Sequence, residues 1–194
     1  NGGDILIGGG NKEHIAGGGG SDTITGNGGA DYIDAGAGDD TVTYDQLSAF
    51  ISGGTGNDTL LLSQATATTI ELGNAISQIN SSGQVSSFEN IDGSGSSASL
   101  NITGDANANV LKGGSDNDII NGGVGADTIS GGAGDDTIIF NAASISIDGG
   151  IGNDNLILQG SSAVSVNLSS SANQVTGNAV ITGFENIDGS AATG

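Results

Sequence analysis

Gly122-Gly123-Val124-Gly125-Ala126-Asp127-Thr128-Ile129-Ser130 runs without a break into Gly131-Gly132-Ala133-Gly134-Asp135-Asp136-Thr137-Ile138-Ile139. The two stretches are nine residues long and share one pattern: glycines first, an aspartate sixth, an aliphatic residue eighth. The last three residues of each read as a very short strand whose central side chain points inward, by the period-two alternation of extended chain. The six before them must turn the backbone back, and glycine permits the positive φ and close approach that so tight a turn needs. Two such repeats close one coil, so residues 18 apart are expected to stack.

The period extends in both directions. Leu6, Ile15, Ile24, Ile33, Val42, Ile51 and Leu60 occupy the eighth position in the first half, and Ile102, Leu111, Ile120, Ile129, Ile138, Ile147 and Leu156 in the second. The halves are themselves copies. A shift of 96 residues lays Phe88-Glu89-Asn90-Ile91-Asp92-Gly93-Ser94 on Phe184-Glu185-Asn186-Ile187-Asp188-Gly189-Ser190 without a mismatch. Internal repetition at a fixed short period is the mark of a solenoid. The reading is an all-β, right-handed parallel β-roll or β-helix, with units at 1–96 and 97–194. Acid-bearing nonapeptides cover about 2–61 and 104–157, and acid-free coils about 62–96 and 158–194. In those acid-free coils Ile70 and Leu72 flank Glu71, and Val164, Val166 and Leu168 alternate with polar residues, which predicts longer strands. Phe88 and Phe184 are expected to fill or cap the roll.

Composition says what must hold such a chain together. The 194 residues include 38 glycines, two tyrosines, four phenylalanines and no proline, cysteine, methionine or tryptophan. Large aromatic side chains normally supply much of a core's buried area, and glycine raises the entropy lost on folding. Against 22 acidic residues stand Lys12 and Lys112, for a formal net charge of −20, and such self-repulsion opposes compaction. Nucleic acid is excluded as a partner because no basic patch could neutralise its phosphates. No apolar run is long enough to span a bilayer, so membrane insertion is not expected. No secretory leader is present, and the opening Asn1-Gly2-Gly3-Asp4 reads as the end of a repeat, which suggests a piece of a longer protein.

The acids themselves form columns. Asp4, Asp22, Asp40 and Asp58 fall at steps of 18 on one edge, and Glu13 and Asp31 on the other. The second half repeats this with Asp118, Asp136 and Asp154, and with Asn109 and Asp127. Stacked carboxylates repel unless a cation lies between them. Calcium takes six to eight oxygen ligands in flexible geometry, backbone carbonyls included, whereas magnesium demands a rigid octahedron. Zinc and copper favour histidine or cysteine, and His14, the lone histidine, reads as a solvated outward side chain. The acids are replaced by Ala49, Leu100 and Ile145, where sites should be incomplete.

These repeats resemble the repeats-in-toxin family of haemolysin-type calcium-binding nonapeptides, most closely at 17–25, 53–61, 122–130, 131–139 and 149–157. The resemblance implies that each ion takes an aspartate from both stacked loops, carbonyls from positions two and four of one loop, and carbonyls from positions one and three of the next. Carried onto this chain, the ion between Asp22 and Asp40 would use Gly18, Gly20, Ala35 and Ala37. The Asp4–Asp22 pair would draw on Gly2, Gly17 and Gly19, and Asp40–Asp58 on Gly36, Gly38, Gly53 and Thr55. In the second half Asp118–Asp136 would use Gly114, Asp116, Gly131 and Ala133, and Asp136–Asp154 would use Gly132, Gly134, Gly149 and Ile151. The implied complement is five to seven calcium ions, with Glu13–Asp31 and Asn109–Asp127 the weaker pairs. The family also implies type I secretion and folding in a calcium-rich exterior. A structural module of an adhesin, surface-layer or other exported protein is therefore expected, without enzymatic activity. The alternatives are a carbohydrate-binding module or the C-terminal secretion domain of an extracellular enzyme. A cell-surface glycan or further subunits of a surface assembly are the partners to be expected.

Overall fold

In the computed structural model the described residues are 2–63, 66–74, 77–79, 84–140, 143–159, 165–170, 173–174 and 179–190. They form strands, bridges and turns only. Val164, one of the alternating residues, lies outside them.

The first half contributes β1 (Ile5–Ile7), β2 (His14–Gly19), β3 (Thr23–Thr25), β4 (Tyr32–Ala37), β5 (Thr41–Thr43), β6 (Phe50–Thr55), β7 (Thr59–Leu61), β8 (Thr68–Glu71), β9 (Gln84–Ser86) and β10 (Asn90–Asp92). The second contributes β11 (Leu100–Thr103), β12 (Val110–Lys112), β13 (Ile119–Asn121), β14 (Thr128–Ala133), β15 (Thr137–Phe140), β16 (Ser146–Ile151), β17 (Asn155–Leu158), β18 (Val180–Thr182) and β19 (Asn186–Asp188). Odd-numbered strands β1 to β7 and then β10, β12, β14, β16 and β18 form one continuous nine-stranded sheet. A four-stranded sheet (β2-β4-β6-β9) and a six-stranded sheet (β8-β11-β13-β15-β17-β19) complete the sheet inventory. Every strand pairing is parallel, and between successive nonapeptide coils the register is the expected 18 residues: Ile24 sits beside Val42, and Ile33 beside Ile51. Pairings that cross the acid-free segments are offset further, as where Ile51 sits beside Val85 and Ile70 beside Ile102. The chain is a parallel β-solenoid. Its core is the file of inward aliphatic residues, with Ile24, Ile33, Val42, Leu60, Ile102, Leu111, Ile120, Ile138, Ile147 and Leu156 all wholly buried.

The nine-stranded sheet passes straight through the junction of the two sequence units, since β10 pairs with β7 on one side and β12 on the other. The 96-residue shift spans an odd number of half-coils, so equivalent repeats lie on opposite faces. Ile33 belongs to the four-stranded sheet, while its counterpart Ile129 belongs to the nine-stranded one.

The acid-free segments depart from expectation. Their strands are short, three or four residues in β8, β9, β10 and β11. The six-residue strands lie in the acid-bearing repeats instead, at β2, β4, β6, β14 and β16. The reason is backbone pairing by the turns themselves: Gly18 aligns with Gly36 and Gly36 with Gly54, extending each strand into its own loop. Between β8 and β9 the chain doubles back through an antiparallel bridge, Ile70 to Ile79. Gln78 secures this excursion. It is buried, its Nε2 donates to the Phe88 carbonyl (2.8 Å) and its Oε1 accepts the Phe88 N–H (3.0 Å). Gln174 grips Phe184 in the same way, at 2.7 and 3.0 Å. Both phenylalanines are buried in the core as expected.

Candidate metal sites

Each acid of the columns stands immediately before a strand, two residues ahead of that strand's inward aliphatic residue, so strand pairing fixes its height. The aspartates do two things with their two oxygens. One oxygen ties neighbouring coils together: Asp22 Oδ1 accepts the Asp4 N–H (2.8 Å), Asp40 Oδ1 the Asp22 N–H (2.7 Å) and Asp58 Oδ1 the Asp40 N–H (2.8 Å). On the opposite edge Asp136 Oδ1 accepts from Asp118 and Asp154 Oδ1 from Asp136, both at 2.8 Å. Asp31 takes the Glu13 N–H (2.9 Å) and Asp127 the Asn109 N–H (3.0 Å).

The other oxygen has no protein partner. Oδ2 of Asp22, Asp31, Asp40, Asp58, Asp127, Asp136 and Asp154 is buried and unbonded. A buried carboxylate oxygen left this way costs free energy that a hydrogen bond or a cation must recover. The exception is Asp118, whose Oδ2 accepts the Gly114 N–H at 2.6 Å.

Backbone carbonyls surround these oxygens. An added Cβ on Gly17 would strike both Asp22 Oδ2 and the carbonyl of Ala35, so Ala35 O projects down toward the loop below. Added Cβ atoms on Gly36 and Gly38 would strike the carbonyls of Gly18 and Gly20, which therefore project up. Ala37 O turns down as well, accepting the Gly20 N–H at 2.8 Å. All four carbonyls implied for the Asp22–Asp40 gap thus face into it. The Asp136–Asp154 gap repeats the arrangement: Gly132 O and Gly134 O rise toward Gly150 and Gly152, Gly149 O descends toward Gly131, and Ile151 O accepts the Gly134 N–H at 2.9 Å. Gly36 O and Gly38 O rise toward Gly54 and Gly56, with Thr55 O accepting from Gly38 (2.9 Å). Gly114 O and Asp116 O rise toward Gly132 and Gly134, and Gly2 O faces Gly20. Upward carbonyls at positions two and four require left-handed backbone there, with φ of 99° at Gly18 and 114° at Gly20. Side chains other than glycine rarely adopt it.

The columns run further than the nine-residue count reveals. Asp58 N–H donates to Glu89 Oε2 (2.8 Å) and Asp154 N–H to Glu185 Oε2 (2.9 Å). These glutamates take the aspartate's place 31 residues on, where 18 is the rule. Glu89 and Glu185 were missed because the intervening excursion breaks the period, although each sits two residues before an aliphatic residue, as the pattern asks. Glu13 behaves differently: its Oε2 folds back to its own Gly9 N–H at 3.2 Å. Where acids are replaced, Ala49 and Ile145 donate N–H to the Asp31 and Asp127 carbonyls, and Leu100 to Asp118 Oδ1. His14 is exposed but stacked, its ring 4.7 Å from Tyr32, which lies 4.4 Å from Phe50.

Burial and neighbouring charge raise five of the column carboxyls. Asp136 is pushed up to about 7, by desolvation first, against the Asp118 N–H and with help from the Asp118, Asp154 and Asp135 charges. Asp58 is pushed up to about 6, by desolvation, partly offset by the Asp40 N–H, with Glu89, Asp40 and Asp39 adding. Asp118, Asp127 and Asp154 are raised by desolvation too. In the metal-free fold Asp136 and Asp58 hold protons that the unfolded chain has lost, from about pH 4 up to about 7 for Asp136 and about 6 for Asp58. Metal-free compactness therefore falls as pH rises through that window. Protons and cations compete for one oxygen, so metal affinity should fall as pH drops from 7 toward 5. Calcium titrations at the two pH values, read by circular dichroism, check this; equal midpoints would contradict it.

Among the described residues no three acidic or histidine side chains converge, so a cation here must take most of its oxygens from the backbone. That donor set, all oxygen and carbonyl-rich, suits calcium. The class defined by fold and site is a parallel β-solenoid that stacks carboxylates and carbonyls for hard cations. The model of the RTX calcium-binding nonapeptide repeat, in four copies, matches residues 7–42, 50–62 and 103–138, and these stretches are repeats of that family. No curated protein matches it.

Proposed function

We propose that this calcium-binding β-roll is a structural module of a secreted or cell-surface protein, folding when it meets extracellular calcium. The observation that carries the reading is the row of buried, unbonded Oδ2 atoms facing inward-turned carbonyls. In each gap the ligands are the two stacked aspartates with the position two and four carbonyls below and the position one and three carbonyls above. Five to seven ions follow, strongest at Asp22–Asp40, Asp40–Asp58 and Asp136–Asp154. Because no such site exists in the unfolded chain, binding free energy is folding free energy. Export unfolded and assembly outside suit a stalk, adhesin or surface-layer component. The module is a scaffold and not a catalyst. It is not a glycan platform at its aromatic strip either, because His14, Tyr32 and Phe50 pile face to face and cover one another's ring faces.

Calcium titration of the metal-free chain should show a cooperative rise of β-signal with a midpoint on the order of 0.1–1 mM, the range of extracellular modules. Magnesium at the same concentration should fail to replace it. Equal response to both ions would overturn the assignment.

A further inference from the structure

At Asp22 and Asp136 the orphaned Oδ2 faces the gap above its own turn. An added Cβ on Gly17 would strike Asp22 Oδ2 together with the Ala35 carbonyl of the next coil, and one on Gly131 would strike Asp136 Oδ2 together with the Gly149 carbonyl. Asp58 and Asp154 follow the same rule. A Cβ on Gly53 would lie 2.8 Å from Asp58 Oδ2 and strike the Ser87 carbonyl, and one on Gly149 would lie 2.8 Å from Asp154 Oδ2 and strike the Gly183 carbonyl. Both aspartates are wholly buried, and no protein group bonds either Oδ2. Those two oxygens therefore look away from the Asp40–Asp58 and Asp136–Asp154 gaps, into gaps that no nonapeptide pair accounts for.

The coil above each is built differently. Ser52 pairs with Ser86 and Thr59 with Asn90, so the six-residue turn 53–58 lies under a turn of only three, 87–89. Asp148 pairs with Thr182 and Asn155 with Asn186, so 149–154 lies under 183–185. The short turns nonetheless keep oxygens where a cation needs them. Ser87 and Gly183 supply the descending carbonyl from left-handed backbone, with φ of 59° and 74°, a conformation unusual for a serine. Glu89 and Glu185 supply the carboxylate, and their longer side chains reach the Asp58 and Asp154 N–H groups at 2.8 and 2.9 Å. From below, Gly54 and Gly56 repeat the positive φ (105° and 145°) that turns the Gly18, Gly20, Gly36 and Gly38 carbonyls upward.

We infer that Asp58–Glu89 and Asp154–Glu185 are two further calcium sites, placed where the nonapeptide rolls join the acid-free coils. Each ion takes the aspartate Oδ2, the glutamate carboxylate, the carbonyl of Ser87 or Gly183, and the rising carbonyls of Gly54 and Gly56 or of Gly150 and Gly152. The inference rests on the calcium reading above and adds to its Asp–Asp pairs. A three-residue turn has no third-position carbonyl to give, so the protein oxygens fall short of the six to eight that calcium takes. Water completes the shell, and these sites fill last. Their effect reaches the acid-free coils. Phe88 stands between Ser87 and Glu89 and is the residue that Gln78 grips, as Gln174 grips Phe184 between Gly183 and Glu185. An ion here ties each excursion to its roll, so ordering of the excursion is coupled to metal binding.

Counting calcium ions bound per chain across a titration tests this, with circular dichroism of the same samples reporting the fold. Glu89→Gln with Glu185→Gln keeps an acceptor for each aspartate N–H but removes the charge. In this double variant the last two ions should need about tenfold more calcium, because ligand charge sets the affinity of such sites, while the others bind as in the parent chain. Glu71→Gln, which alters an acid of the same coils outside the columns, should leave the titration unchanged. If the double variant loses its β-signal, anomalous diffraction from the unaltered chain decides, with a peak expected beside Asp58 Oδ2 and the Ser87 carbonyl. Identical titrations of the parent and a folded double variant, or an empty Asp58–Glu89 gap beside an occupied Asp22–Asp40 gap, overturn these two sites alone. A parent chain that binds no calcium removes the calcium reading together with them.

Discussion

Chelating calcium from the folded chain is expected to erase its β-signal and leave an expanded acidic coil. The magnitude decides the outcome. Seven described aspartates hold a buried oxygen with no partner, and each uncompensated group costs about 1–3 kcal/mol, more when charged. The sum is on the order of 10 kcal/mol, against a whole-domain stability of about 5–15 kcal/mol. Repulsion within a chain of net charge −20 adds to it. Nothing in the aliphatic core makes up the difference, because its inward residues are single file and glycine fills much of the rest. Circular dichroism or small-angle scattering before and after chelation reads the change. Recovery on returning calcium, with β-signal and radius both restored, is part of the expected result. Retention of the roll without the ion would contradict it.

The second large effect has opposite signs in the two states. Asp136 lies mid-column, with Oδ1 on the Asp118 N–H and Oδ2 free for a cation. Asparagine keeps the hydrogen bond and the shape but removes the charge. Without calcium, Asp136→Asn should stabilise whatever compact state survives by about 2–4 kcal/mol at pH 8, since a carboxyl raised to about 7 is destabilised by its own ionisation. With calcium it should weaken the fold by on the order of 2 kcal/mol, the loss of one charge-assisted contact. Calcium should accordingly raise the melting temperature of this variant less than that of the parent chain. A merely structural aspartate would change both states in the same direction.

Much of this was readable from particular residues. The eighth-position aliphatics announced the core, and the acids at steps of 18 announced the columns, because a solenoid has one register and every coil repeats it. The carbonyls of Gly18, Gly20, Ala35 and Ala37 point into the gap between Asp22 and Asp40. What escaped notice depends on broken periodicity. Glu89 and Glu185 carry the columns past an excursion of 13 extra residues (31 against 18), and a nine-residue count cannot cross it. Gln78 and Gln174 sit in polar, serine- and asparagine-rich surroundings, where a buried glutamine leaves no periodic trace. The exchange of faces between the two units is a matter of parity that matching residues do not display. Long strands were assigned to the acid-free coils because alternation is a side-chain signal. Glycine loops have no side chains to alternate, yet their backbones pair across coils and make the longest strands.

If cations between the rungs are what make this polymer compact, diffraction from crystals grown in millimolar calcium gives the most direct view. Anomalous difference density should appear beside Oδ2 of Asp22, Asp40 and Asp136, ringed by the carbonyls of the adjoining turns. Well-ordered loops with no anomalous peak at those oxygens would contradict the account.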